Sequence, residues 1–256
     1  MTPRTRRKLI ALLLALCLLL PGLPGSIPPA RAAEAEKTPA DDCKILDYVH
    51  EEVFEEGDHL GRMEEEETLS SYVFLNKDGT RTAYYLDEAV KFVDADGTIK
   101  EKDITLKSVR SGYITTQNDV SLTLPATISS GVSLGYRDYA LSLVPLGGKA
   151  TAGKLVNNTV EYGQFFGADT VLKYTPTLTG VKEDIILDSY TGVNTFTFIL
   201  NTNGLTVFHT PEDRYYLSPS KGDEPVYWLG ALEIYDAALN MGTGEMTVET
   251  VKAAQQ

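Results

Sequence analysis

The 256 residues carry 36 acidic against 23 basic side chains, a formal net charge of −13. That balance argues against a nucleic-acid binder, which needs a lysine and arginine excess to meet phosphates. A hydrophobic content of 43% is enough to fill a sizeable core, and the length allows one or two domains.

The chain opens with a basic cluster, Arg4, Arg6, Arg7 and Lys8, followed by twelve uninterrupted apolar residues from Leu9 to Leu20. Pro21, Gly22, Pro24 and Gly25 break the run, and Ala30-Arg31-Ala32 supplies an A-x-A cleavage site. Basic, apolar and small-residue regions in that order read as a secretory signal peptide over residues 1–32. Twelve apolar residues are too few to span a bilayer. Cys17 follows Leu16, where a lipidation site needs a small residue, so no lipid anchor is expected. Cleavage after Ala32 removes five basic residues (Arg4, Arg6, Arg7, Lys8, Arg31) and no acidic ones, taking the net charge to −18. Cys43 is then the only thiol, and an intramolecular disulfide is impossible. The expected location is secreted, extracellular or cell-wall associated, with no membrane contact after cleavage and with an unknown protein or cell-wall partner.

Residues 33–70 form an acidic linker and helical segment. Ile45, Val49 and Val53, spaced by four, predict one short amphipathic helix, with Asp41 and Asp42 at its N-terminus and Gly57 and Gly61 after it. Glu64 to Glu67 reads as a solvated face or connector. His50 and His59 are not spaced for one helical face and read as solvated. On this reading a chain starting at residue 69 folds as well as one starting at residue 33.

At Ser71 the period changes from four to two. One phrase, F-x-[ND]-x-D-G-T, is written twice: Phe74 to Thr80, and Phe92 to Thr98. Asp78-Gly79 and Asp96-Gly97 are strong hairpin turns, because glycine reaches positive φ and aspartate tolerates it. Two tandem hairpins are therefore expected to begin an antiparallel sheet that the later strands extend. Val120, Leu122 and Leu124 alternate with polar residues, as do Tyr139, Leu141 and Leu143, and Phe196, Phe198 and Leu200. Turn signals separate them at Gln117-Asn118-Asp119, Ser129-Ser130-Gly131, Arg137-Asp138, Asn157-Asn158, Thr191-Gly192 and Asn201 to Gly204. The pattern predicts an all-β fold of antiparallel β-sandwich type. Gly147 to Gly153 is the expected seam between a first β subdomain (71–150) and a second (151–256). Ala231 to Leu239 fits a short helix or a strand equally well.

Several short motifs offer chemistry. Gly131-Val132-Ser133-Leu134-Gly135 matches the nucleophile elbow G-x-S-x-G, but Tyr136 to Val144 reads as a strand where a helix is required. His209, the histidine downstream of it, reads as a strand-end residue. Leu124-Pro125-Ala126-Thr127 resembles the start of a sortase signal, with Ile128 in place of the glycine. The two D-G turns resemble fragments of a calcium loop, but the first ligand positions are Phe74 and Phe92. No catalytic residue, cofactor or metal is assigned. Tyr84, Tyr85, Tyr113, Tyr136, Tyr139, Tyr162, Tyr215, Tyr216, Tyr227 and Trp228 are core residues, cross-strand pairs, or a surface on which sugar rings stack.

A set of phrases carries a family resemblance. It comprises Arg62 in the acidic segment, Asn76 to Thr80, Asp94 to Gly97, Leu122 to Pro125, Val160-Glu161-Tyr162, and Asp169 with Tyr174. Most specific is Gly180-Val181-Lys182-Glu183-Asp184-Ile185-Ile186-Leu187 followed by Phe196-Thr197-Phe198. Over about residues 62–250 the chain resembles the N-terminal region of secreted RHS/YD-repeat, wall-associated-type proteins of Gram-positive bacteria, a polymorphic toxin family. The resemblance implies a non-catalytic β module with a structural or interaction role at the cell surface. No YD repeats or toxin domain follow in these residues, so toxin delivery is not carried over. The alternatives from other classes are a secreted carbohydrate-binding sandwich and a secreted serine hydrolase acting through Ser133.

Overall fold

The computed structural model describes residues 9–16 (as backbone), 59–190 and 192–251. The expected helix over Ile45, Val49 and Val53, His50, Cys43 and the cleavage site at Ala32 lie outside these residues. The fold is all-β and antiparallel, as the period-two pattern predicts. The first strand is β1 (Leu9–Leu16). The described residues fall into two compact units, one of 59–104 with 117–119, the other of 9–16, 105–116, 120–190 and 192–251.

In the smaller unit, β2 (His59–Arg62), β3 (Ser71–Asn76) and β4 (Arg81–Tyr85) form a three-stranded sheet. β5 (Lys91–Val93) and β6 (Ile99–Glu101) form a separate two-stranded one. The repeated phrase builds the same turn twice. Asn76 N–H donates to Thr80 O at 2.8 Å, and Asp94 N–H donates to Thr98 O at 2.8 Å. Asp78 Oδ1 accepts from the Thr80 amide at 2.9 Å and its hydroxyl at 2.6 Å, and Asp96 Oδ1 does the same with Thr98 at 2.9 and 2.6 Å. Gly79 and Gly97 sit at φ +82° and +86°, which a side chain with a Cβ rarely adopts. Gly97→Val should therefore cost about 1–3 kcal/mol. Lys100→Val, which loses only an exposed pair with Asp94 that solvent screens, should cost far less. Urea melts of the two variants that coincide would overturn the turn assignment.

The two hairpins do not share a sheet, contrary to the expectation from their tandem order. Val90 and Lys91 N–H both donate to Leu69 O, at 2.9 and 3.0 Å. These bonds hold the second hairpin to the residues just before β3 instead of the free edge of β4. The acidic segment also differs from expectation, since its last part is folded. His59–Arg62 pairs with β3, and Glu64–Glu66 is a 3-10 turn. A chain starting at residue 69 would lack β2 altogether.

The larger unit contains β7 (Lys107–Val109), β8 (Gly112–Ile114), β9 (Val120–Pro125), β10 (Val132–Tyr136), β11 (Tyr139–Pro145), β12 (Lys154–Val156), β13 (Thr159–Gly163), β14 (Thr170–Thr177) and β15 (Gly180–Leu187). Then come β16 (Phe198–Asn201), β17 (Thr206–His209), β18 (Tyr215–Ser218), β19 (Tyr227–Leu229) and β20 (Ile234–Asp236). One six-stranded sheet has the order β12-β13-β14-β15-β1-β20, the other β16-β11-β10-β9-β8-β7, and β17-β18-β19 forms a third. Inward residues of the two large sheets share one core, including Leu122, Leu124 and Leu134 on one side and Tyr162, Leu172 and Ile185 on the other. Tyr162 Oη donates across it to Pro125 O at 2.7 Å. Arg137-Asp138 and Asn157-Asn158 are two-residue hairpin loops, with Arg137 and Asn157 at φ 53° and 54°. Ala231 to Leu239 contributes the short strand β20.

Two boundaries differ from the sequence reading. The stretch Gly147 to Gly153 lies inside the larger unit, where Ile128 N–H donates to Thr151 O at 3.1 Å and Gly153 N–H to Ala126 O at 2.9 Å. The division falls instead at residues 104/105. The apolar run read as the leader core is, in the full chain, strand β1 between β15 and β20, because β15 offers it a full-length ladder edge.

Candidate functional site

The phrase that carries the resemblance, Gly180 to Leu187, is strand β15. Its period-two phase turns Val181, Glu183, Ile185 and Leu187 inward, with exposures of 6, 1, 0 and 2%. Lys182 lies on the opposite face, with its ammonium 3.4 Å from the Asp184 carboxylate, which Lys173 approaches at 3.7 Å. One member of the inward row is thus a carboxylic acid. Glu183 stands directly opposite Tyr174 on β14, itself fully buried. The two line a cavity of about 20 Å³, large enough for one water molecule. The rest of its wall is apolar: Val132, Leu134, Leu141, Leu143, Val181, Leu200 and Leu229.

Neither the Glu183 oxygens nor the Tyr174 hydroxyl makes a hydrogen bond of standard geometry with another described residue. Burial pushes the Glu183 carboxyl up to about 7; Tyr174 pulls the other way and the Asp184 charge adds to the rise. Burial, and after it the Glu183 charge, raises the Tyr174 phenol well above its usual range. The pair is a proton-holding group near neutral pH in an apolar interior. The signal in the sequence is the phase of V-x-E-x-I-x-L, which makes Glu183 the odd member of a core row.

Phe196 and Phe198 are packed against the same core. Phe166 meets Phe196 edge-on at 4.9 Å and Phe198 at 6.1 Å, and Phe165 touches Phe166 at 4.7 Å. The part of Phe196 and Phe198 in the phrase is packing.

The smaller unit holds a buried ion cluster that the sequence reading passed over. Arg62 donates through Nε and Nη2 to both Glu67 oxygens, each at 2.6 Å, and through Nη2 to Glu101. Lys91 Nζ donates to Glu67 Oε2 at 2.6 Å, and Tyr72 Oη to Glu101 Oε2 at 2.8 Å. Both cations also lie over the Tyr72 ring, Arg62 at 4.7 Å and Lys91 at 4.3 Å. Burial would raise the Glu67 carboxyl, but the bonds from Arg62 and Lys91 outweigh it and hold the group below the usual range. Each charge is paired within the cluster, whose geometry ties β2, β3, β5 and β6 together.

The remaining candidates are placed as follows. Ser133 is in the middle of β10, paired with Ser142 and Thr123, and the chain continues as a strand, so it is not on a strained elbow. His209 ends β17 and bonds Asp213 at 2.7 Å. Leu124 and Ile128 are fully buried around the strand end at Pro125. The Asp78 and Asp96 carboxylates are occupied by Thr80 and Thr98, and Phe74 and Phe92 are buried. Among the described residues no cluster of three or more His, Cys, Asp or Glu is arranged to hold a metal. His59 is not simply solvated. It stacks on Phe74 at 4.6 Å and bonds Asn76 Oδ1 at 2.8 Å and Tyr84 Oη at 3.1 Å.

The aromatic residues divide. Tyr162 and Tyr227 are fully buried, and Tyr113, Tyr139 and Tyr215 pack against the core. Phe208, Tyr216 and Trp228 form one cross-strand row on the third sheet, with centroids 5.2 and 5.3 Å apart, and the Arg214 guanidinium lies 4.4 Å over Trp228. The faces of this row are turned largely to one another and to Arg214, whereas Tyr85 on β4 is 78% exposed.

No family model matches the chain, and no curated protein and no solved structure matches it.

Proposed function

We propose that this chain is an exported, non-catalytic β-sandwich module with a structural or interaction role at the cell surface, of the kind its resemblance to the N-terminal region of RHS/YD-repeat, wall-associated-type proteins implies. The observation behind this reading is where the shared phrases lie. Leu124, Val160, Tyr162, Tyr174, Val181, Ile185 and Leu187 are core residues of one sandwich, none more than 6% exposed. On that resemblance the phrases mark a scaffold, whose function lies in what its surface holds.

Export is tested first. N-terminal sequencing of the protein recovered from culture medium or cell wall should begin at Ala33. A recovered protein that retains residues 9–20 or is lipidated at Cys17 overturns the leader assignment. Retention on an insoluble polysaccharide that Trp228→Ala abolishes would move the reading to glycan binding.

A further inference from the structure

Strand β15 is the longest edge that processing of this chain would expose. On one side it pairs with β14 over its whole length, from Thr170↔Leu187 to Thr177↔Gly180. On the other it pairs only with β1, from Leu9↔Leu187 to Leu16↔Val181. Among the described residues from 59 onward, none pairs with that second side. β1 also carries β20, through Leu9↔Asp236, Ile10↔Tyr235 and Ala11↔Ile234. Loss of residues 1–32 therefore removes the strand that, among the described residues, stands between β15 and β20, and leaves a slot there.

Natural sheets blunt such edges with charges or inward-pointing acids, because unpaired N–H and C=O groups are a template for another strand. β15 carries Lys182 and Asp184 on one face and Glu183 inward, yet keeps the apolar inward row Val181, Ile185 and Leu187. The slot is flanked on both sides, which favours a single free strand over the edge of a second folded sheet. The strand seated there in the full chain displays the matching chemistry: eight consecutive apolar residues, extended and antiparallel to β15.

We propose that in the processed protein the β15–β20 slot accepts an extended apolar strand from a partner chain, antiparallel to β15, in the place that Leu9–Leu16 holds before cleavage. This rests on the reading of residues 1–32 as a removed leader. Main-chain bonds supply the affinity of such strand addition, and the inward side chains supply its selectivity.

Hydrogen exchange on the full chain and on the same chain cut after Ala32 and freed of residues 1–32 tests it. The alternate amides of Gly180–Leu187 that face β1 should exchange on the order of 100-fold faster in the cut chain, as their side of the ladder becomes an open edge, while those that donate to β14 stay protected. A lysine-flanked peptide of residues 9–16 should restore protection, and the same peptide with Ala11→Pro and Leu14→Pro should not, since proline lacks the ladder donor. Equal exchange in the two forms, or no protection by the unbroken peptide, overturns the proposal. A cut chain that sediments as a dimer with β15 already protected assigns the slot to a second copy and also overturns it. The N-terminal sequence of the exported protein separates the two ideas. A retained leader ends the export reading, whereas the exchange comparison on the cut chain still decides the slot.

Discussion

Glu67→Ala should destabilise the smaller unit by about 3–5 kcal/mol, while Glu66→Ala, one residue earlier, should cost less than about 1 kcal/mol. The Glu67 side chain is 3% exposed and is bonded to Arg62 and Lys91, whose side chains are 5% and 3% exposed. Removing it leaves two cations in a low-dielectric interior with one carboxylate, Glu101, within reach of Arg62. It also takes an acceptor from the Val73 amide. Glu66 pairs with Arg81 at the surface, half in water on both sides, where solvent screens most of the attraction. Trp228, the single tryptophan, belongs to the larger unit, so its fluorescence is no direct probe of the smaller one. Hydrogen exchange at Val73 and Lys91, read against urea, does. Equal exchange in the two variants would show the cluster to be a bystander, and residues 59–68 would then be a connector after all.

What could be read from the chain was what is local. A turn needs only its own few residues, so the Asp-Gly-Thr phrases, Arg137-Asp138 and Asn157-Asn158 all lie at hairpin loops. Strand phase is local too, which is why Val120, Leu122 and Leu124 are buried in alternation. Pairing between strands is not local. The second hairpin is held by Leu69 O, twenty-odd residues upstream, and nothing in Phe92 to Thr98 announces that partner. The same holds for Glu67. A run of four glutamates looks like one solvated face, and only the fold separates Glu67 from Glu64 to Glu66 by supplying Lys91 and Glu101 around Arg62. Gly147 to Gly153 is a flexible composition that fits a seam and a surface loop equally well, and bonds from Ala126 and Ile128 decide for the loop. Glu183 was legible in position but not in consequence. Its phase points it inward, whereas the apolar wall around it comes from β10, β11, β16 and β19.

That wall sets the pH response expected of the larger unit. Glu183 in the unfolded chain loses its proton near the ordinary value of 4.5, and in the folded protein it holds it until about pH 7. Between those values the folded state binds more protons, so this group's contribution to stability falls as pH rises through the window. Below pH 4.5 the penalty is absent, and above pH 7 it is complete at about 3 kcal/mol. Facing the carboxyl is the Tyr174 phenol, protonated throughout; Asp184, next in the chain, lies on the opposite face of β15 and acts through its charge, and every other group around the cavity is apolar. The carboxylates whose proton affinity is lowered, Glu67, Asp78, Asp94 and Asp96, act with the opposite sign and below this window. Urea unfolding of the larger unit, followed by Trp228 fluorescence, should show a lower midpoint at pH 8 than at pH 5. Glu183→Gln keeps the shape and removes the titration, so its midpoint should change far less between the two pH values and exceed the native one at pH 8. A native protein with the same midpoint at both values would place the Glu183 charge in contact with water, and an equal fall in Glu183→Gln would assign the response to another group.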